Sequence, residues 1–173
     1  MNAALPRLLS ELLLPLLGII FWHWGFAFIL WFVAIDVFTQ LALGIFLRND
    51  RWDWLKVLVQ CMELILVWLL ISLNSVQIWA SFVAFFMYSD AGIPQGYLLL
   101  PLMIFSEVIR LRTERKTGVK IIPILGQHLA RVFVLGILVV LSITELKEIY
   151  LSCIFLALSG IVILSIKPKV IRN

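Results

Sequence analysis

Long apolar runs follow one another along this chain and are separated only by short polar or aromatic breaks. A helix needs ~20 predominantly apolar residues to cross the ~30 Å hydrocarbon core of a bilayer. Because the chain is 63% hydrophobic and little polar sequence remains between the runs, the pattern predicts one all-α domain over residues 1–173, a polytopic transmembrane helical bundle of about six spans. The predicted spans are residues 5–22, 26–47, 54–73, 78–109, 121–142 and 149–166.

The first apolar run, residues 5–47, is too long for a single crossing. Residues 21–25 in its middle combine aromatic side chains and a glycine, which are typical of a membrane interface and of a helix break. We therefore predict a tight hairpin there. A cleaved signal peptide is the alternative for the start of the run, but Glu11 interrupts it and no small-residue cleavage pattern follows.

The fourth segment, residues 78–109, is apolar at both ends and broken in the middle. An unbroken helix of this length would measure ~48 Å at 1.5 Å per residue, well beyond the bilayer core. It is either a discontinuous span whose unwound middle serves a solute, or residues 78–88 lie in the outer interface and an external turn precedes a short span that begins at Tyr97. We favour the second interpretation. The candidate residues of the break are Asp90, Gly92, Pro94 and Gly96.

The distribution of positive charge predicts the orientation. Lys and Arg accumulate on the cytoplasmic side of membrane proteins, and here they concentrate in residues 48–56, 110–120 and 167–173. If residues 78–109 cross an odd number of times, these stretches and Arg7 share one side. We therefore predict that both termini are cytoplasmic, in a plasma membrane of the bacterial inner-membrane type.

Polar side chains inside the predicted spans need an explanation, because an embedded charge costs ~2.5–3.5 kcal/mol on insertion scales. Helical spacing places Thr39 and Gln40 on the face of Asp36, with Gly44 as a point of close approach to another helix. Such groups either form a proton or cation relay or fix which helices pair. The candidates are Asp36, Gln40, Glu63, Glu107, Gln127, His128 and Arg131.

Two of these candidates have neighbours at helical spacing. Lys56 and Gln60 fall on the face of Glu63 at steps of four and three residues. Glu107 precedes Arg110 by one turn, which predicts a local ion pair at the inner boundary.

Arg131 is the cation nearest the middle of a predicted span. If the fifth span begins near residue 121, Arg131 is embedded and we expect it to meet a carboxylate. If the span begins near Arg131 itself, the side chain extends to the interface instead. In the embedded arrangement, which we favour, Asp36 and Glu63 face one Arg, so one carboxyl is protonated or lies in a water-filled cavity.

Motifs for cofactor or enzyme chemistry are absent from the sequence. The two histidines, His23 and His128, belong to different depths of the predicted bundle, and Cys61 and Cys153 lack the paired spacing of a zinc or redox motif. We expect the cysteines to be packing residues and predict no metal and no cofactor. No zincin, nucleophile-elbow or phosphate-loop motif is present, so an enzyme is less expected than a non-enzymatic role.

The loop over residues 110–120 is the largest polar surface. Its cations would attract anionic lipid headgroups or an acidic partner, although the orientation signal explains them equally well, and nothing further indicates nucleic-acid binding. The basic residues of the loop are Arg110, Arg112, Arg115, Lys116 and Lys120.

Three functional hypotheses follow from these patterns. The first is a subunit of a larger plasma-membrane complex, because the polar stripes and the short fourth segment would be completed by neighbouring membrane proteins. The second is a proton- or cation-coupled transporter or channel that uses the embedded carboxylates. The third and weakest is a lipid-processing membrane enzyme.

Overall fold

The computed structural model describes residues 12–22, 24–47, 54–74, 78–87, 100–101, 103–105, 107–109, 112, 123–144 and 146–165. These residues are helical apart from short turns, and they contain no strand. The predicted all-helical class is therefore confirmed for the described part of the chain. The helices are α1 (Leu14–Trp22), α2 (Phe26–Leu47), α3 (Trp54–Asn74), α4 (Ile78–Met87), α5 (Pro123–Ile143) and α6 (Glu148–Ser165).

Two helical stretches are long and apolar enough to cross a membrane, Phe26–Gly44 of α2 and Trp54–Asn74 of α3, each with a mean hydropathy of 2.0. Shorter apolar stretches occur in α4, α5 and α6. By this measure the prediction of six spans is not confirmed. The largest departure is α4, whose 10 residues are only ~15 Å long at 1.5 Å per residue.

The four long helices close into a ring. Helix α2 packs against α3 and α6, and α5 packs against the same two helices from the other side. Each helix contributes apolar side chains to the centre, so burial of apolar surface, at ~25 cal/mol per Å², holds the ring together. Fully buried examples are Phe26, Ile29, Leu30, Leu70, Ile71, Leu135, Leu138 and Leu151.

The outer faces of the ring are also apolar. Helices that are apolar on all sides occur in the cores of large proteins or within membranes, and here the outward side chains are exposed on a small bundle. Among them are Phe38, Leu58, Ile65, Trp68, Phe133, Val140 and Ile161.

Contacts at two heights show that α3 and α5 run parallel. Glu63 near the middle of α3 contacts His128, and Asn74 at the end of α3 donates a hydrogen bond of 3.2 Å to Ser142 near the end of α5. Neighbouring helices that point the same way require the chain between them, residues 75–122, to return to the end where α3 begins. This return agrees with the odd number of crossings that the charge distribution requires.

The break that the sequence predicts before α2 is present, while the hairpin itself stays a prediction. Helix α1 ends at Trp22 and α2 begins at Phe26, and the Trp24 backbone N–H donates a 3.0 Å hydrogen bond to the Gly18 carbonyl. The Trp24 indole packs so closely on Gly18 that a Cβ at this position would collide with it. Glycine at position 18 is therefore required by the close approach of the indole.

Helix α4 lies beside the first two turns of α2. The Trp31 indole N–H donates a 3.0 Å hydrogen bond to Ser81 Oγ, and the buried Phe85 ring packs against Trp24 and Phe28. The described residues from 100 to 109 are helical as well. The intervening residues, including Asp90, Gly92, Pro94 and Gly96, lie outside the described residues, so the predicted break itself stays a prediction.

Candidate functional site

A polar cluster lies at mid-height of the ring, where α2, α3 and α5 meet. Each helix contributes two side chains separated by three or four positions, so both members of a pair project from one face. Three members carry a charge, Asp36, Glu63 and Arg131. Each lies eight to ten residues after the first residue of its helix. The six residues of the cluster are Asp36, Gln40, Gln60, Glu63, His128 and Arg131.

Glu63 is the centre of this polar cluster. Its Oε2 lies 2.6 Å from His128 Nδ1, and its Oε1 accepts a hydrogen bond of 3.3 Å from Arg131 Nη1. Both contacts run from α3 to α5, the pair of helices with the most extensive packing in the ring. Charge-assisted bonds of this kind are about twice as strong as neutral ones, so the α3–α5 interface combines apolar packing with a specific polar contact.

The second carboxylate belongs to α2. Asp36 Oδ2 lies 3.6 Å from Arg131 Nη1, and it accepts a hydrogen bond of 2.9 Å from Gln40 Nε2. Arg131 therefore stands between two acids from two helices. The sequence predicted that an embedded Arg131 meets a carboxylate, and the structure confirms that contact.

The amide of Gln60 closes the cluster on the other side of His128. Gln60 Nε2 lies 3.3 Å from His128 Nε2, and both side chains are buried. With the amide nitrogen on this side, Gln60 donates, and a neutral His128 then accepts on Nε2 and carries its proton on Nδ1, opposite Glu63 Oε2. With the amide oxygen on this side, Nε2 would be the donor, so the orientation of the amide and the position of the ring proton depend on each other.

The ionisable side chains of the cluster do not cancel one another's charge. With a neutral His128, the two carboxylates face one guanidinium, which leaves these four side chains with one excess negative charge. The balancing positive charge comes from a proton or from Lys56 of α3, which acts electrostatically on His128. The count of deep groups in the sequence gave the same excess negative charge for Asp36, Glu63 and Arg131 alone.

Burial within the cluster decreases from α3 towards α2. The exposed fraction of the side chain is 0% for Glu63 and 4% for His128, whereas it is 16% for Arg131 and 21% for Asp36. Asp36 and Arg131 are therefore the members of the cluster nearest the surface of the bundle, and Glu63 and His128 are enclosed within it.

The remaining predicted residues are Glu107, Gln127 and those of the basic loop. Glu107 is buried on the helical residues 107–109, but Arg110 lies outside the described residues, so their ion pair stays a prediction. The side chain of Gln127 also lies outside them. Of the basic loop only Arg112 is described, and it is exposed.

The structure bears on three further expectations for individual residues. Among the described residues, no atom lies within 4 Å of a Cβ built on Gly44, so none of the described helices approaches closely there. Thr39 lines an apolar groove of about 770 Å³ that also involves α3, α4, Leu100 and Ile104, and its place on the face of Asp36 stays a prediction. Cys61 and Cys153 are exposed on the bundle surface and are not packing residues within it.

Gln60 is the member of the cluster that sequence reasoning left out of the site. Its spacing placed it on the face of Glu63, but spacing along one helix does not show which residue of another helix lies opposite. Within the described residues, no group of three or more His, Cys, Asp or Glu side chains is arranged to hold a metal ion. The cluster consists of ionisable and hydrogen-bonding side chains.

Comparison with known proteins adds no assignment. No protein family model, curated protein or solved structure matches this chain.

Proposed function

We propose that this chain is a polytopic integral membrane protein whose buried polar cluster takes up and releases a proton during proton-coupled transport or proton conduction. The observation that carries the proposal is the position of Glu63, a fully buried carboxylate held between His128 and Arg131. Ionisable groups inside a membrane bundle are costly, and they mark proton or ion pathways.

The membrane placement rests on the outer surface and the helix lengths. Apolar side chains cover the outward faces of the ring, as a hydrocarbon environment requires. The ring helices have 22, 21, 21 and 18 residues, or ~27–33 Å at 1.5 Å per residue, close to the ~30 Å core. We propose six crossings, with the hairpin helix α1 as the first and residues 78–109 as an irregular fourth.

Two observations support this threading. The parallel course of α3 and α5 requires residues 75–122 to return across the bundle, and α4 packs beside the first turns of α2. We therefore propose that α4 lies near the outer interface and that the return crossing uses the helical residues from 100 to 109. Both termini and the loop around Lys116 are then cytoplasmic, in a plasma membrane.

A proton-binding role fits the cluster better than binding of a metal cation. Arg131 already occupies the space between Asp36 and Glu63, and a second cation there would be repelled. A proton needs no coordination space and corrects the excess negative charge of the four side chains. The gradient of burial from Asp36 to Glu63 gives it a direction of entry.

The hypothesis of a subunit in a larger complex remains a second proposal, but it has lost one argument. Polar groups without partners inside the chain were expected to be completed by neighbouring subunits. Asp36, Glu63 and Arg131 instead contact one another, and within the described residues Ser159 Oγ is the only buried side-chain polar atom without a hydrogen-bond partner. Purification in mild detergent tests this proposal, because stable co-purifying proteins would support it.

Proton flux into proteoliposomes tests the proton-binding role. The purified chain is reconstituted with a pH-sensitive dye inside, and a potassium diffusion potential drives proton entry. We expect Glu63→Gln and Asp36→Asn to abolish the flux while the protein still inserts and purifies normally. Glu148→Gln, the same change at an exposed residue outside the cluster, is the matched control and should retain it.

Two outcomes would contradict the proposal. Flux that persists in both Glu63→Gln and Asp36→Asn would show that the carboxylates are structural. The proposal would also be contradicted if the wild-type chain conducted no protons, either alone or together with any co-purifying protein. The cluster would then only fix which helices pair.

A further inference from the structure

The Glu63–His128 pair has one proton in the observed arrangement. Gln60 Nε2 points at His128 Nε2 at 3.3 Å, so this ring nitrogen accepts a hydrogen bond. The ring proton is on Nδ1 and is shared with Glu63 Oε2 over 2.6 Å. The alternative neutral ring, protonated on Nε2, would place the Nδ1 lone pair against the carboxylate and is excluded by repulsion.

A second proton has a restricted choice of position. On Glu63 Oε1 it would point at Arg131 Nη1, which is itself a donor. On His128 Nε2 it gives an imidazolium that still donates to Glu63. Transfer of the Nδ1 proton across the short contact then gives a neutral ring and a carboxylic acid. Both of these two-proton forms have a hydrogen on Nε2.

The hydrogen on Nε2 is incompatible with the observed orientation of Gln60. Two donors would face each other, whereas a half-turn of the amide places its oxygen, an acceptor, against the ring. The amide nitrogen and oxygen are nearly equal in size, so this rotation needs no change in packing. The orientation of the Gln60 amide is therefore coupled to the number of protons on the pair.

We propose that uptake of a second proton by the Glu63–His128 pair, with a hydrogen then on His128 Nε2, rotates the Gln60 amide, which makes Gln60 the positioning residue that distinguishes the one-proton from the two-proton state. The inference rests on the proton-binding function proposed above and names the ring atom that carries a hydrogen in the two-proton state. Gln60 holds no proton itself. In one orientation the amide donates to His128 Nε2, and in the other it accepts a hydrogen bond from Nε2. The buried ring nitrogen therefore has a hydrogen-bond partner in both the one-proton and the two-proton state.

The charged groups around His128 come from all three helices of the cluster. Glu63 and Lys56 act on it from α3 and Arg131 acts from α5, while Asp36 of α2 is connected through Arg131. A change in the protonation of Asp36 thus alters the field at His128 without touching it. The titration measured for His128 therefore reports on the whole cluster.

Nitrogen NMR of the full-length chain in lipid bilayers tests the inference. The sequence contains two histidines, so ¹⁵N-histidine labelling of a His23→Asn protein leaves the signals of His128 alone. At alkaline pH we expect Nδ1 to be protonated and Nε2 to be unprotonated, with a correlation between Nε2 and the amide hydrogens of Gln60. On acidification, Nε2 gains a proton and this correlation disappears.

Labelled glutamine and a Gln60→Met variant identify the amide signal, since the variant lacks it. An Nε2 that is protonated at alkaline pH would overturn the inference, as would an amide signal that stays unchanged while Nε2 gains its proton. The two proposals can fail independently. If Nε2 gains its proton and the Gln60 signal changes but no proton flux is measured, only the proposed function is contradicted. If flux is measured but Nε2 is protonated at every pH, only this inference is contradicted.

Discussion

Glu63 and His128 are 65 positions apart in the chain, yet Glu63 Oε2 lies 2.6 Å from His128 Nδ1 in the middle of the bundle. The two residues lie on parallel helices, so the contact depends on the return of the chain between them. Arg131, one turn after His128, binds the second oxygen of the same carboxylate. One buried acid thus connects α3 to α5 through two side chains and is the centre of the proposed proton-binding cluster.

The close packing of Trp24 on Gly18 predicts opposite effects for two glycine substitutions. Gly18→Ala introduces a methyl group into the indole, and overpacking of this kind destabilises by ~1–3 kcal/mol. Gly44→Ala meets no atom within 4 Å and should be neutral or stabilising by up to ~1 kcal/mol, because alanine favours helix. Unfolding by added SDS in mixed micelles measures both variants, and equal stability of the two would refute the packing described for Trp24.

The parallel course of α3 and α5 predicts a specific cross-link. Asn74 Nδ2 and Ser142 Oγ are 3.2 Å apart, so cysteines at these positions should form a disulfide readily in membranes when Cys61 and Cys153 are replaced by serine. Asn74→Cys combined with Ala130→Cys, three turns earlier on α5, is the control and should not cross-link. Failure of the 74–142 pair to form the bond would contradict the parallel course.

The proposed threading predicts which ends of the bundle face the cytoplasm. A membrane-impermeant amine or thiol reagent added to intact cells should leave Lys116, or a cysteine placed there, unmodified. It should modify a cysteine in place of Lys147, in the turn between α5 and α6. Disruption of the cells should then expose Lys116. Modification of Lys116 from outside would reverse the orientation and place the basic loop on the wrong side.

Much of the fold could be predicted from local sequence signals. The predicted limits of the second span coincide with α2, and those of α3, α5 and α6 differ by at most two residues, because glycine and short polar linkers mark their ends. The fourth segment was predicted in part. The favoured interpretation kept residues 78–88 out of the crossing, and α4 is a short helix there. Its packing beside α2 is visible only in the contacts across the bundle.

The sequence predicted which polar side chains share a face of one helix, but it did not predict which residues of other helices they contact. Helical spacing placed Gln40 with Asp36 and His128 with Arg131, and a need for charge balance indicated that Arg131 meets an acid. Which helix faces which depends on packing, so the contact between Gln60 and His128 had no sequence signal. The glycines show the same limit, because Gly18 and Gly44 differ only in what lies opposite them.

A double-mutant cycle between Glu63 and Arg131 tests the buried cluster most directly. Glu63→Gln removes the acid that Arg131 contacts, and Arg131→Gln removes the cation that Glu63 contacts. Loss of one member of a buried ion pair typically costs ~3–5 kcal/mol. The account predicts that the double variant is more stable than the sum of the single losses implies, by more than ~0.5 kcal/mol in the free energy of unfolding. Losses that add to within ~0.3 kcal/mol would show that the two side chains do not interact, and the cluster described here would not exist.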